Sequence, residues 1–271
     1  MIAPGTPTTC QRWELGRDSR RPAGELIRTA EYEVTEIDEL AAKEFVTTHH
    51  YSRSYPAARF RFGLHHRGDH VGTAVFSQPF VDEAITGMLP TIDPDDGVEL
   101  GRFVLHDAVP GNGETWFLAR CFDLLRGRVR GGVSFADPHP RARQDGEIVF
   151  PGHVGTIYQA LNANYHGITD RRTIRLLPDA TCFSNFASGK IRRGLRGWRA
   201  AAQTLVRYGA DEIAEDAGAE ERVAWLEYWR DALTRPVRHQ GNHRYSWRLD
   251  AVPKSERAYG PARAYPKRRA A

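Results

Sequence analysis

The chain has 271 residues, 41% of them hydrophobic, enough to bury the core of one large domain or two small ones. No run approaches the roughly 18 to 20 apolar residues of a membrane helix, and the N-terminus lacks the successive basic, apolar and small-residue blocks of a secretory signal, so a cytoplasmic location is expected. Cys10, Cys121 and Cys182 lie far apart without CxxC spacing, which indicates neither a disulfide framework nor a cysteine zinc site; the formal charge of +4 is modest but segregated.

Residues 1 to 24 are rich in Pro, Thr, Gly and Arg without apolar periodicity and read as a mobile leader. Residues 25 to 34 are compatible with a strand, and Ile37, Leu40, Ala41 and Phe45 fall at helical spacing in a helix that ends at His49-His50-Tyr51. Two alternating runs, 59 to 66 and 70 to 76, flank Gly68-Asp69 and predict a β-hairpin. A loop rich in Pro and Asp leads to a strand at 99 to 105, and a helix begins after Pro110-Gly111-Asn112-Gly113. Val133-Ser134-Phe135-Ala136 reads as a buried strand ending in Asp137, and 154 to 165 as a further helix. Late strands are expected at 173 to 177 and 245 to 249, with a helical insertion at 188 to 239 between them and a basic tail at 251 to 271. The insertion is basic first (Lys190, Arg192, Arg193, Arg196, Arg199) and acidic second (Asp211, Glu212, Glu215, Asp216, Glu220, Glu221); the tail carries Arg257, Arg263, Lys267, Arg268 and Arg269. This order predicts an α/β protein, with a core at 25 to 187 and 240 to 250 whose mixed sheet is flanked by helices.

Several residues have the chemistry of a site, and each has a plainer reading beside it. The loop holding Asn112, Glu114 and Thr115 joins a strand to a helix, where free N–H groups hold anions; otherwise it is an ordinary cap. Asp137 follows an apolar strand, where a carboxylate with a raised pKa suits a general base, or an Asp-Pro turn. His153, Tyr158 and Asn162 are predicted to converge, the last two one helical turn apart, although a helical tyrosine is commonly a core residue. His50 and Tyr51 suit proton transfer or a simple helix end. Arg102 suits an anion clamp or an internal ion pair. The segment 188 to 199, with its arginines and Trp198 as a stacking surface, is the nucleic-acid candidate, or else a solvated basic face.

Taken together, His50-Tyr51, Glu99-Leu100-x-Arg102, the loop at Asn112, Ser134-Phe135-Ala136-Asp137, Gly152-His153-x-Gly155-x-x-Tyr158-Gln159-Ala160-x-Asn162-x-x-Tyr165-x-Gly167 and His243-Arg244-Tyr245 resemble the Mom family of phage DNA-modification proteins. The resemblance implies a GNAT-like acyltransferase fold, conversion of adenine in DNA to its N6-carbamoylmethyl derivative, and protection of phage DNA from restriction inside the host cytoplasm. It also implies iron, while the fold admits acetyl-CoA or another activated acyl donor. On this reading Asp137, Tyr158, His50, Tyr51 and Arg102 are catalytic; Asn112, Glu114, Thr115, Ser134, Gly152, His153, Gly155 and Asn162 bind donor or substrate; and Lys190, Arg192, Arg193, Arg196, Trp198 and Arg199 bind DNA. The rivals are an acyl-CoA-dependent N-acetyltransferase acting on a small amine or a protein, and a DNA-binding protein with an inactive core.

Overall fold

The computed structural model describes residues 9–22, 24–253, 255 and 257–266. In chain order the strands and helices are β1 (Thr9–Glu14), β2 (Arg17–Pro22), β3 (Tyr32–Glu36), α1 (Glu39–His49), β4 (Ala58–His66), β5 (Asp69–Ser77), α2 (Glu83–Thr86), β6 (Gly97–Leu105), α3 (Gly113–Leu125) and β7 (Gly131–Ala136). Then follow β8 (Arg141–Ala142), β9 (Ile148–Phe150), α4 (Thr156–Ala160), β10 (Asn164–Ile168), β11 (Arg172–Leu176), β12 (Cys182–Phe183), α5 (Asn185–Arg193), α6 (Trp198–Val206), α7 (Ala219–Leu233), β13 (Arg235–His239) and β14 (His243–Arg248).

The chain divides into two compact units. The first comprises the described parts of Met1–Pro138, Phe150–Thr169 and Asn242–Ala271. Its seven-stranded mixed sheet has the order β10-β14-β7-β6-β5-β4-β3, in which β6 and β7 run parallel and the other pairs antiparallel. Alternation explains the hairpin: Phe60, Phe62 and Leu64 of β4 are buried, and Arg67 and Gly68, both at positive φ, turn the chain. The turn is therefore one residue earlier than Gly68-Asp69. The α1 helix starts at Glu39 rather than Ile37 because the Asp38 side chain accepts from the Ala41 N–H at 2.8 Å. Phe117, Leu118, Cys121 and Leu125 of α3 bury one face against the sheet core formed by Phe62, Leu64, Phe76, Leu100 and Leu105.

Three expectations are corrected. Residues Thr9–Pro22, read as part of a mobile leader, form the antiparallel pair β1–β2; residues 1–8 and 23 lie outside the described residues. The helix expected over 154 to 165 is only Thr156–Ala160, since Asn162 sits at φ 54 and the chain continues as β10, pairing Tyr165 with Tyr245. The strand near 173 is not in the large sheet: β11 pairs with β12 and β13 in a separate three-stranded sheet.

The second unit is His139–Val149 with Asp170–Gly241, so the stretch read as an insertion at 188 to 239 belongs to a longer segment. Its own core packs Leu177, Phe183, Ile191, Ala202, Leu205 and Leu226 beneath the faces of α5, α6 and α7.

Candidate active site

The ladder between β6 and β7 holds for three residue pairs, Gly97–Glu99 against Gly131–Val133. Beyond it, Ser134 Oγ donates to the Leu100 carbonyl at 3.2 Å. Parallel strands that part in this way leave a cleft toward their C-terminal ends, where ligands of α/β sheets are held. Here it is a cavity of about 420 Å³, lined by Leu100, Gly101 and Phe103 of β6, Phe135 of β7, the start of α3, the His153–Tyr158 segment, His50 and Tyr51. That volume suits a small-molecule or base-sized ligand.

Tyr158 is buried in this cavity, and burial pushes its phenol up to about 12, with a hydrogen bond to Ser134 opposing the shift and Tyr51 and Glu99 adding to it. It is therefore protonated at neutral pH and suited to donate a hydrogen bond. Gly155 gives Tyr158 its place: at φ +75, an added Cβ would lie 2.7 Å from both Tyr158 and Tyr245. His153 also lines the cavity, its ring edge-on to Tyr158 at 6.4 Å, and its backbone N–H donates to the Asp137 carbonyl at 2.8 Å. The Ser52 N–H donates to His50 Nδ1 at 3.1 Å, which leaves the proton of a neutral ring on Nε2.

At the start of α3, Asn112, Glu114 and Thr115 line the same cavity. Their polar atoms already have structural work: Asn112 Oδ1 accepts from the Ile27 N–H at 2.7 Å, and Thr115 Oγ1 donates to the Asn112 carbonyl at 3.0 Å. Glu114 is ion-paired with Arg12, a residue 1% exposed whose Nη2 donates to the carbonyls of Pro110 at 2.9 Å and Val109 at 3.2 Å. Burial lowers the Arg12 guanidinium to about 10, still cationic at neutral pH.

The remaining candidates fall elsewhere. Asp137 is buried just past β7 and is not among the residues lining the cavity, whereas Tyr158 and Asn112 are. Arg102 is no free clamp: Nε and Nη2 donate to Ser54 O and Oγ at 2.7 and 2.6 Å, and Nη1 to the Gly101 carbonyl at 2.6 Å. Ser134 is buried behind Tyr158, Gly152 and Gly155 shape the approach to α4, and Asn162 is exposed, no longer sharing a helix face with Tyr158. Glu99, quoted in the family motif without a site role, has its carboxyl raised by burial against the lowering effect of Arg102; missed in the sequence were Arg12 and Trp13 in the cavity wall. Their placement depends on long-range pairing that local pattern does not carry.

Within the second unit Arg192, Arg193 and Arg196 are exposed, and Lys190 Nζ lies 4.7 Å from the Phe186 ring centre. Arg199 is exposed and paired with Glu215 at 3.1 Å, and Trp198 is half-buried with the Arg222 guanidinium over its ring. Lys267, Arg268 and Arg269 of the basic tail lie outside the described residues. No group of three or more His, Cys, Asp or Glu among the described residues is arranged to hold a metal ion, so the donor set does not fit iron; nor is any described helix long and apolar enough to cross a membrane.

Fold and site thus define an α/β protein with a cavity where one parallel strand pair of a mixed sheet opens. The chain belongs to the Mom protein family, whose model matches residues 31–267. Two solved structures are similar at 9% identity: a tandem GNAT protein from the clavulanic acid biosynthesis pathway (TM-score 0.43, covering 82% of this chain and 100% of that one) and an N-acetyltransferase from Staphylococcus aureus Mu50 (TM-score 0.35, covering 80% and 98%). No curated protein matches significantly.

Proposed function

We propose that this chain is a transferase that modifies the exocyclic amine of adenine in DNA, adding a carbamoylmethyl or related group as the Mom family membership implies. The observation that carries the reading is the cavity itself, which is large enough for an extruded base and gathers Tyr158, His153, His50 and Tyr51 on its walls.

Adenine N6 is a weak nucleophile because its lone pair is delocalised into the ring. It must lose a proton as the new N6–carbon bond forms and the donor's leaving group departs with its electron pair. His153, whose backbone N–H donates to the Asp137 carbonyl, is the assigned proton acceptor at the cavity. Tyr158, held protonated by burial, donates to an oxygen of the donor, and Tyr51 orients it. In duplex DNA the base must leave the stack at a cost of a few kcal/mol, which phosphate contacts from Arg192, Arg193 and Arg196 offset.

Glu114 argues against the acyl-CoA alternative. With its charge answered by Arg12, this carboxylate already occupies the start of α3, so that helix end offers little to a pyrophosphate. Mass spectrometry of nucleosides from cells expressing the chain separates the readings: a new adenine derivative supports DNA modification, whereas unmodified nucleosides support the acetyltransferase or the non-catalytic DNA binder.

A further inference from the structure

The β1–β2 hairpin lies outside residues 31–267 that match the family model, yet it builds one wall of the cavity. It is firmly seated. Besides the bonds of Arg12, Ser19 Oγ donates to the Asp107 carboxylate at 2.7 Å, and the Gly16 N–H donates to the His49 carbonyl at 2.9 Å. These ties fix Trp13, whose ring centre lies 4.8 Å from Tyr51; Tyr51 in turn stacks on Phe150 at 4.2 Å with planes 11° apart. Trp13 and Tyr51 both line the cavity, so this side is an aromatic wall.

One polar atom in the same wall is unsatisfied. Arg12 Nε–H is buried and has no hydrogen-bond partner among the described residues, although both terminal nitrogens are engaged. A buried N–H without an acceptor is unfavourable, so this corner lacks an acceptor atom. A phosphate or carboxylate is a poor candidate because Glu114 already answers the charge of Arg12. A planar heteroaromatic ring suits the aromatic wall, because it offers a face for stacking.

We infer that the hairpin is the seat of the acceptor base, with Trp13 stacking on the purine. The inference rests on the adenine-modification reading and names the residues that select the base within it.

The test uses the full chain and two readouts. The first is the KM and kcat for plasmid DNA, followed by nucleoside mass spectrometry. The second is binding of an oligonucleotide carrying 2-aminopurine, whose fluorescence falls when the purine stacks on an aromatic face. Trp13→Ala is expected to raise the KM for DNA about tenfold with a smaller effect on kcat and to remove the quenching, and Trp13→Phe to recover most of the loss. Trp13→Leu, which keeps apolar bulk without a ring, behaves like Trp13→Ala and decides the matter if that variant does not fold. A folded Trp13→Leu with wild-type KM and wild-type quenching overturns the inference. If the wild-type chain modifies no adenine, the function fails while quenching that depends on Trp13 still supports the seat; absence of such quenching overturns the seat as well.

Discussion

Ser134 Oγ donates to the Leu100 carbonyl at 3.2 Å immediately beyond the last paired residues of β6 and β7. One hydroxyl thus joins the two strands where they part. Ser134→Ala leaves the Leu100 carbonyl without this donor and is expected to lower stability by about 1 to 2 kcal/mol in urea unfolding. An unchanged midpoint would show that the hydroxyl does not brace the opening.

The Arg12–Glu114 pair is buried, with side chains 1% and 9% exposed. Arg12→Met strands a buried carboxylate and is expected to cost about 3 to 5 kcal/mol, whereas Arg12→Met with Glu114→Gln recovers a large part of it. Equal losses in the single and double variants, measured by chemical denaturation, would mean that the pair is not coupled.

Acid sensitivity follows from a cluster of neutral histidines. His49 is lowered from 6.5 to about 4, chiefly by burial and then by His106 and His70, and His106 Nε2 lies 3.1 Å from His49 Nε2. His106 and His70 are shifted the same way by burial. The unfolded chain takes up protons below pH 6.5 while the folded rings stay neutral, so the stability is complete above that value and falls as pH drops from 6.5 toward about 4. His49→Gln should flatten this dependence of the urea midpoint; the same slope in the variant would acquit the cluster.

The DNA-contact proposal makes a separate prediction. Exchanging Arg192, Arg193 and Arg196 for Glu is expected to weaken DNA binding and to flatten the plot of log affinity against log salt by roughly one unit per lost phosphate contact. An identical slope in filter binding would remove these residues from the interface.

How far the sequence alone leads can be seen in three places. The β4–β5 hairpin was legible because Phe60, Phe62 and Leu64 alternate locally toward the core. The short α4 was overextended because Ile157, Leu161 and Tyr165 mimic a helical stripe; Asn162 at φ 54 and the pairing of Tyr165 with Tyr245 break it, and the second is a contact with residues 80 positions away. The first hairpin was invisible because polar bonds from Arg12 and Ser19 to residues near 110, rather than apolar alternation, hold it in place. For the site, residue types at Tyr51, His153 and Tyr158 were readable as candidates, but no local pattern says that Arg102 is spent on Ser54 or that Trp13 stands in the cavity wall.

The most direct test compares adenine in DNA digested from cells expressing the wild-type chain and the Tyr158→Phe variant, by mass spectrometry. The account predicts an N6-substituted adenine in the first and at least a hundredfold less in the second, on the scale of a lost proton-transfer or hydrogen-bonding group of about 10² or more. Equal amounts of the derivative from both would contradict the assignment of the chemistry to the cavity between β6 and β7.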